Sequence, residues 1–203
     1  MLFERYCLPS LKGQTCKNFD WIVLFDSTTP ERYKQKIEEY QKDFQQFVPV
    51  FVKLEEGRYF AEVFRDEVVK RITNDNARST SGRLQGKNHD LNKEWGRVIT
   101  TYLDNDDALN VRFVEDLQQR VMSLSDGTFV SYTHGYQLYT DYQYMMQIHY
   151  PRNHFMSVVE RADPLTDAAT VCLADIGKNP RTSYDVRGDM ISIYETSSSA
   201  SAA

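Results

Sequence analysis

Phe3, Cys7 and Leu11 recur at every fourth position, which lines one face of a short amphipathic helix. Pro9 falls inside that stretch and is expected to shorten or bend it. Trp21–Phe25 follows as an unbroken apolar run, the pattern of a strand covered on both faces in a parallel sheet. It stops at Asp26-Ser27-Thr28-Thr29-Pro30, where Thr29 is placed to cap a helix that opens on Pro30 and carries Tyr33, Ile37 and Tyr40 on one face. Val48–Val52 reads as a second strand, and Pro49 within it favours a sheet edge. Phe60, Phe64, Val68 and Ile72 predict a third helix, and the Asn-, Ser-, Gly- and Arg-rich stretch from Thr73 to Asn92 predicts a loop or irregular helix start. Val98–Leu103 predicts a strand that runs into Asp104-Asn105-Asp106-Asp107, with a helix on Phe113, Leu117 and Val121 behind it.

Beyond Gly127 the pattern turns β-rich. Phe129–Tyr132 and Tyr142–His149 predict strands around a turn near Thr140-Asp141, and Thr170–Leu173 and Met190–Tyr194 are further short strands. Strand and helix alternation predicts an α/β domain with a mostly parallel sheet flanked by helices. Ligands of such sheets lie beyond the carboxyl ends of the strands, so Asp26 and the Asp104–Asp107 run are expected to face one crevice. No internal repeat is visible, and a single domain over residues 1–196 with a disordered, low-complexity tail over 197–203 is expected.

Charge and composition narrow the classes. The net charge of -5 is uneven. Residues 1–100 hold 17 Lys/Arg against 15 Asp/Glu, whereas residues 101–203 hold 7 against 14. A duplex-binding protein needs a dense basic face, so nucleic acid is not an expected partner. The longest apolar run is far below the roughly 20 residues of a membrane span, and no signal segment opens the chain, which points to the cytoplasm. Cys7, Cys16 and Cys172 are odd in number and lack C-x-x-C spacing, as expected of reduced thiols.

The acidic run carries the chemistry. Asp104 and Asp106, two apart at a strand end, can turn their carboxylates toward one hard divalent cation, which prefers oxygen ligands and brings substrate phosphates with it. Three other readings compete. A solvated turn that caps the next helix would look similar. An EF-hand loop starting at Asp104 would find Glu115 at position twelve but Leu109 where the sharp turn needs Gly. A phosphatase would use Asp104 as nucleophile and Asp106 as acid.

Phe3 to Thr15 (FERYCLPSLKGQT) with Phe19 to Asp26 (FDWIVLFD) resembles the opening of the rhamnosyltransferase family, GT-A-type glycosyltransferases that use nucleotide sugars. Ile99 to Leu109 (ITTYLDNDDAL) is similar to that family's D-x-D segment, and Tyr150 to Glu160 (YPRNHFMSVVE) to its acceptor-side segment. The resemblance implies a metal-dependent transfer of a sugar such as rhamnose from a nucleotide-sugar donor, dTDP-rhamnose for example. The acceptor would be a glycan or other hydroxyl compound, as in polysaccharide biosynthesis. It implies that Asp104 and Asp106 hold Mn²⁺ or Mg²⁺ on the donor diphosphate and that Asp26 lies near the nucleoside. Glu160 is the implied base for the acceptor hydroxyl, with Asp163 behind it. The family places a strand ahead of the Phe3 segment, so a GT-A-like domain lacking its first strand is expected. It also tends to place a metal-ligating His near the carboxyl end, where this chain has Glu195 after Met190–Tyr194. These two departures support a rival reading, a non-catalytic relative that binds a partner through its acidic face.

His89, His134, His149 and His154 form no H-x-x-x-H pair, so no zinc site is expected. His154 is a candidate for substrate contact. Arg78, Arg83 and Lys87 could offer charge to a diphosphate, though a solvated loop accounts for them equally. Tyr132, Tyr136, Tyr139, Tyr142 and Tyr144 crowd the β-rich half, where hairpin packing accounts for most of them and sugar contact is the functional alternative.

Overall fold

In a computed structural model, residues 1–53, 60–81, 97–125, 127–150, 155–161 and 183–194 are described. The first apolar stripe forms a π-helical turn, Phe3–Cys7, that runs directly into α1, Leu8–Lys12. Pro9 falls in the first turn of α1; it has no N–H to donate back into the preceding π-helical turn, and the helical backbone continues through it. Cys7, Leu8 and Leu11 are buried.

The apolar run becomes β1, Trp21–Asp26, joined through α2, Glu31–Asp43, to β2, Phe47–Val52. β1 and β2 pair in parallel from Trp21↔Phe47 to Asp26↔Val52, a βαβ unit in which the helix makes the crossover that parallel strands require. Pro49 sits opposite Val23 and is tolerated because β2 has no second neighbour among the described pairings. Phe47 is fully buried, with Trp21 and Tyr40 edge-on to it at 5.4 and 6.1 Å between ring centroids. The helix start differs from expectation. Pro30, not Thr29, is the capping residue, and the Thr29 hydroxyl donates instead to the Asp26 carbonyl at 2.6 Å.

The third helix, α3, covers Phe60–Ser81, so its backbone runs through the polar residues 73–81 where a loop was expected. Residues 82–92 of that stretch lie outside the described part. Helix propensity is a weak prior, and the Thr, Asn and Ser of this segment lower it by only tenths of a kcal/mol each.

The larger sheet corrects the expectation of a mostly parallel one. It holds β3 (Arg97–Thr101), β4 (Ala108–Leu109), β5 (Thr128–Tyr139), β6 (Tyr144–His149), β7 (Met156–Arg161) and β8 (Ser183–Tyr194), in the order β3-β7-β5-β8-β4 with β6 also on β5. Only β5 with β8 is parallel; the other pairs are antiparallel. The fold is thus mixed α/β, with a parallel pair in one sheet and a mainly antiparallel second sheet. The hairpin β5–β6 turns at residues 140–143, as expected, with Gln143 at a φ of 54°. The strand expected at Thr170–Leu173 and the tail at 197–203 lie outside the described residues.

One buried cluster joins the parts. Leu8 and Leu11 from α1, Phe47 from β2, Phe113 and Leu117 from α4 (Phe113–Val121), and Val130 from β5 share it. β3 and β4 stand at opposite ends of the strand order, so the connection over residues 102–107 carries the acidic run from one edge of the sheet to the other.

Candidate cation and donor site

Asp104 to Asp107 forms a tight turn closed by the Asp107 N–H donating to the Asp104 carbonyl at 3.3 Å. Carboxylate oxygens of Asp104, Asp106 and Asp107 lie within 4.8 Å of one another. Asp104 is half-buried, Asp106 exposed and Asp107 buried. Oxygens ligating one magnesium-sized ion at about 2.1 Å are at most about 4.2 Å apart, so small side-chain adjustments would bring all three into one shell. The donor set, oxygen only and carrying three negative charges, fits a hard divalent cation. Asp107 was not among the candidate ligands in the sequence, where D-x-D spacing drew attention to its two neighbours; its signal there was being the third acid of the run.

The turn rests on the first helical segment. The Cys7 thiol reaches the Asp104 carbonyl at 3.7 Å, and the Ser10 hydroxyl donates to the Cys7 carbonyl at 2.7 Å while accepting the Leu109 N–H at 3.1 Å. Burial first, and then the charges of Asp107 and Asp106, push the Cys7 thiol up to about 12, so it is a neutral donor rather than a nucleophile. Gln14, buried to 2 % exposure, donates to the carbonyls of Ser10 at 2.9 Å and Asn110 at 2.7 Å. Its Oε1 accepts the Val114 N–H at 3.0 Å. α4 has no side-chain cap of its own, so Gln14 satisfies one of its orphan donors from the other end of the chain. The Thr15 N–H continues the seam to the Val111 carbonyl at 2.8 Å.

Asp26 ends β1 exposed, with Oδ1 accepting both the Thr28 hydroxyl at 2.6 Å and the Thr28 N–H at 2.7 Å. Those bonds hold its carboxyl below the usual carboxylate range and fix its orientation. β1 and β3 belong to different sheets, so the carboxyl edge of one parallel sheet is not what would bring Asp26 and the corner to one crevice.

Glu160 lies in β7 opposite Val98, and the Tyr102 N–H donates to the Met156 carbonyl at 3.2 Å. The four steps from Met156 to Glu160 span about 13 Å of strand. Strand alternation sets Glu160 on the face of Met156 and Val158, opposite the face on which Val159 joins the core. Asp163, His154, His89, Arg83, Lys87, Cys172 and Glu195 fall outside the described residues, and Arg78 is placed only as backbone within α3.

The fold and the turn define a mixed α/β protein with a three-carboxylate corner held against its first helix. A family model described as "Putative rhamnosyl transferase" matches residues 1–90 and supports a rhamnosyltransferase-like family for the chain. The match spans α1 through α3 and ends before the acidic corner; among the described residues it reaches the corner and its flank through the Cys7–Thr15 seam. Among curated proteins none matches the chain. No described helix is long and apolar enough to cross a membrane.

Proposed function

We propose that the chain is a metal-assisted glycosyltransferase of GT-A type that moves a sugar, rhamnose foremost, from a nucleoside-diphosphate donor to a hydroxyl acceptor. The observation that carries the reading is the seam itself: the segment matched by the family model supplies the residues that hold the carboxylate corner. Asp104 and Asp106, with Asp107 beside them, would hold Mn²⁺ or Mg²⁺. A cation bound there neutralises charge on the leaving nucleoside diphosphate. Asp26, pre-oriented by Thr28, would meet the nucleoside. Glu160 would take the proton of the acceptor hydroxyl.

Calorimetric titration of dTDP and UDP, each with and without Mn²⁺, tests the donor site. Binding that needs the cation and falls at least tenfold in Asp104→Ala supports it. Absent binding, or binding indifferent to both the cation and the substitution, removes it. Nucleotide binding without sugar transfer to any glycan acceptor would favour a non-catalytic relative.

A further inference from the structure

The expectation that no zinc site exists rested on sequence spacing, and the hairpin register undoes that premise. His134 in β5 and His149 in β6 are direct cross-strand partners. Their imidazole rings stack with centroids 4.4 Å apart and planes 25° from parallel. Fifteen residues of sequence separate them, so no spacing motif could have shown the pair. We infer that His134 and His149 form a binding site for a zinc-class divalent transition-metal ion, independent of the proposed transferase reaction.

Three observations carry the inference. Cross-strand partners hold their Cβ atoms about 4.5–5.5 Å apart, so turning the two rings out of their stack would aim one nitrogen of each at a single ion between them, and neutral imidazole is the preferred ligand of zinc, copper and nickel. The Thr133 hydroxyl lies 3.1 Å from His134 Nδ1. An oxygen there can accept the Nδ1 proton and leave Nε2 free as the ligating atom, the arrangement usual behind metal-bound histidines. The site is also open to the ion, since His149 is exposed and His134 only half-buried. On the other side of β5, β8 brings Asp189 to the register position opposite His134.

The ligand chemistry separates this pair from the acidic corner. Carboxylate oxygens favour magnesium and manganese, whereas imidazole favours the later transition metals. An ion bound across β5 and β6 would staple the hairpin at the end away from its turn.

Electron paramagnetic resonance of the full chain with one equivalent of Cu²⁺ reads the ligand type directly. The expected spectrum shows coupling to two imidazole nitrogens, retained in Asp106→Asn and in His89→Gln/His154→Gln. Replacing either His134 or His149 by Gln should remove the two-nitrogen pattern, with circular dichroism confirming the fold. Zinc titration should show at least tenfold weaker binding in His149→Gln. Thr133→Val, which keeps both ligands, should weaken zinc by about tenfold or more, as loss of a supporting partner does. A two-nitrogen signal that survives His149→Gln, or that is absent from the unsubstituted protein, overturns the assignment.

Discussion

The side-chain oxygen of Gln14 accepts the backbone N–H of Val114 at 3.0 Å, across a sequence separation of 100 residues. This bond ties the start of the chain to the first turn of α4, and the same carboxamide holds the carbonyls of Ser10 and Asn110. Replacement by Leu would keep the bulk and leave those buried groups without their partner. The expected loss is on the order of 3 kcal/mol. Urea denaturation should show a lower midpoint with an unchanged slope, and a loss below about 1 kcal/mol would show that water replaces Gln14 freely.

Cys7 makes a second, pH-dependent link in the same seam. Its thiol is raised in the fold from the ordinary 9.0 to about 12, chiefly by burial. In the unfolded chain it ionises near its ordinary value. Above pH 9 the unfolded state therefore loses a proton that the folded state keeps, and stability falls until about pH 12. Denaturation midpoints over this range should decline less in Cys7→Ala than in the unsubstituted protein. Peptide mapping after brief treatment with a thiol reagent at pH 8 should find Cys16, which is half-buried, modified ahead of Cys7. Equal labelling of the two in the folded protein would contradict the burial of Cys7.

At the acid end the corresponding link is Asp116. Burial alone would raise its carboxyl, but hydrogen bonds from Arg120 at 2.7 Å and Tyr132 at 2.8 Å outweigh it and hold the group below its usual 3.8. A depressed carboxyl stabilises the fold above pH 3.8 and loses that contribution as pH falls through the folded value. The acid limb of a stability profile should therefore be shallower in Asp116→Asn. At pH 7 the same variant should be less stable by about 1–2 kcal/mol, because the Tyr132 hydroxyl would donate to a neutral acceptor instead of a carboxylate. Identical acid limbs in the two proteins would remove the linkage.

The local elements were legible because local periodicity carries them. The stripe Phe3, Cys7, Leu11 and the run Trp21–Phe25 specify a helix and a strand within a few residues of where they form. Strand pairing was not legible, since the antiparallel partner of Val98 is Glu160, and nothing in either segment records the other. The preference for a parallel sheet came from element order and from the unbroken run Trp21–Phe25, which does pair in parallel; neither signal says how the strands of the second sheet pair. The carboxylate corner was legible as chemistry through Asp104 and Asp106. Its support was not, because Ser10 and Gln14 are unremarkable residues whose partners lie about a hundred positions away.

The three acids of the corner should separate under substitution by their burial. Asp106 is exposed, so Asp106→Asn should leave the melting temperature unchanged while weakening Mn²⁺-dependent dTDP binding at least tenfold. Asp107 is only 6 % exposed, and Asp107→Asn should lower both the binding and the melting temperature. Glu160→Gln should behave differently from either. It stands along β7 from the end nearest Tyr102, so donor binding should persist, while transfer to an acceptor falls by about 10² to 10⁴. The loss should be smallest for acceptors whose hydroxyl is already acidic, because they depend least on a base. A Glu160→Gln protein that transfers sugar at the unsubstituted rate would move the base elsewhere and leave the donor site untouched. One that loses nucleotide binding would instead tie Glu160 to the donor site.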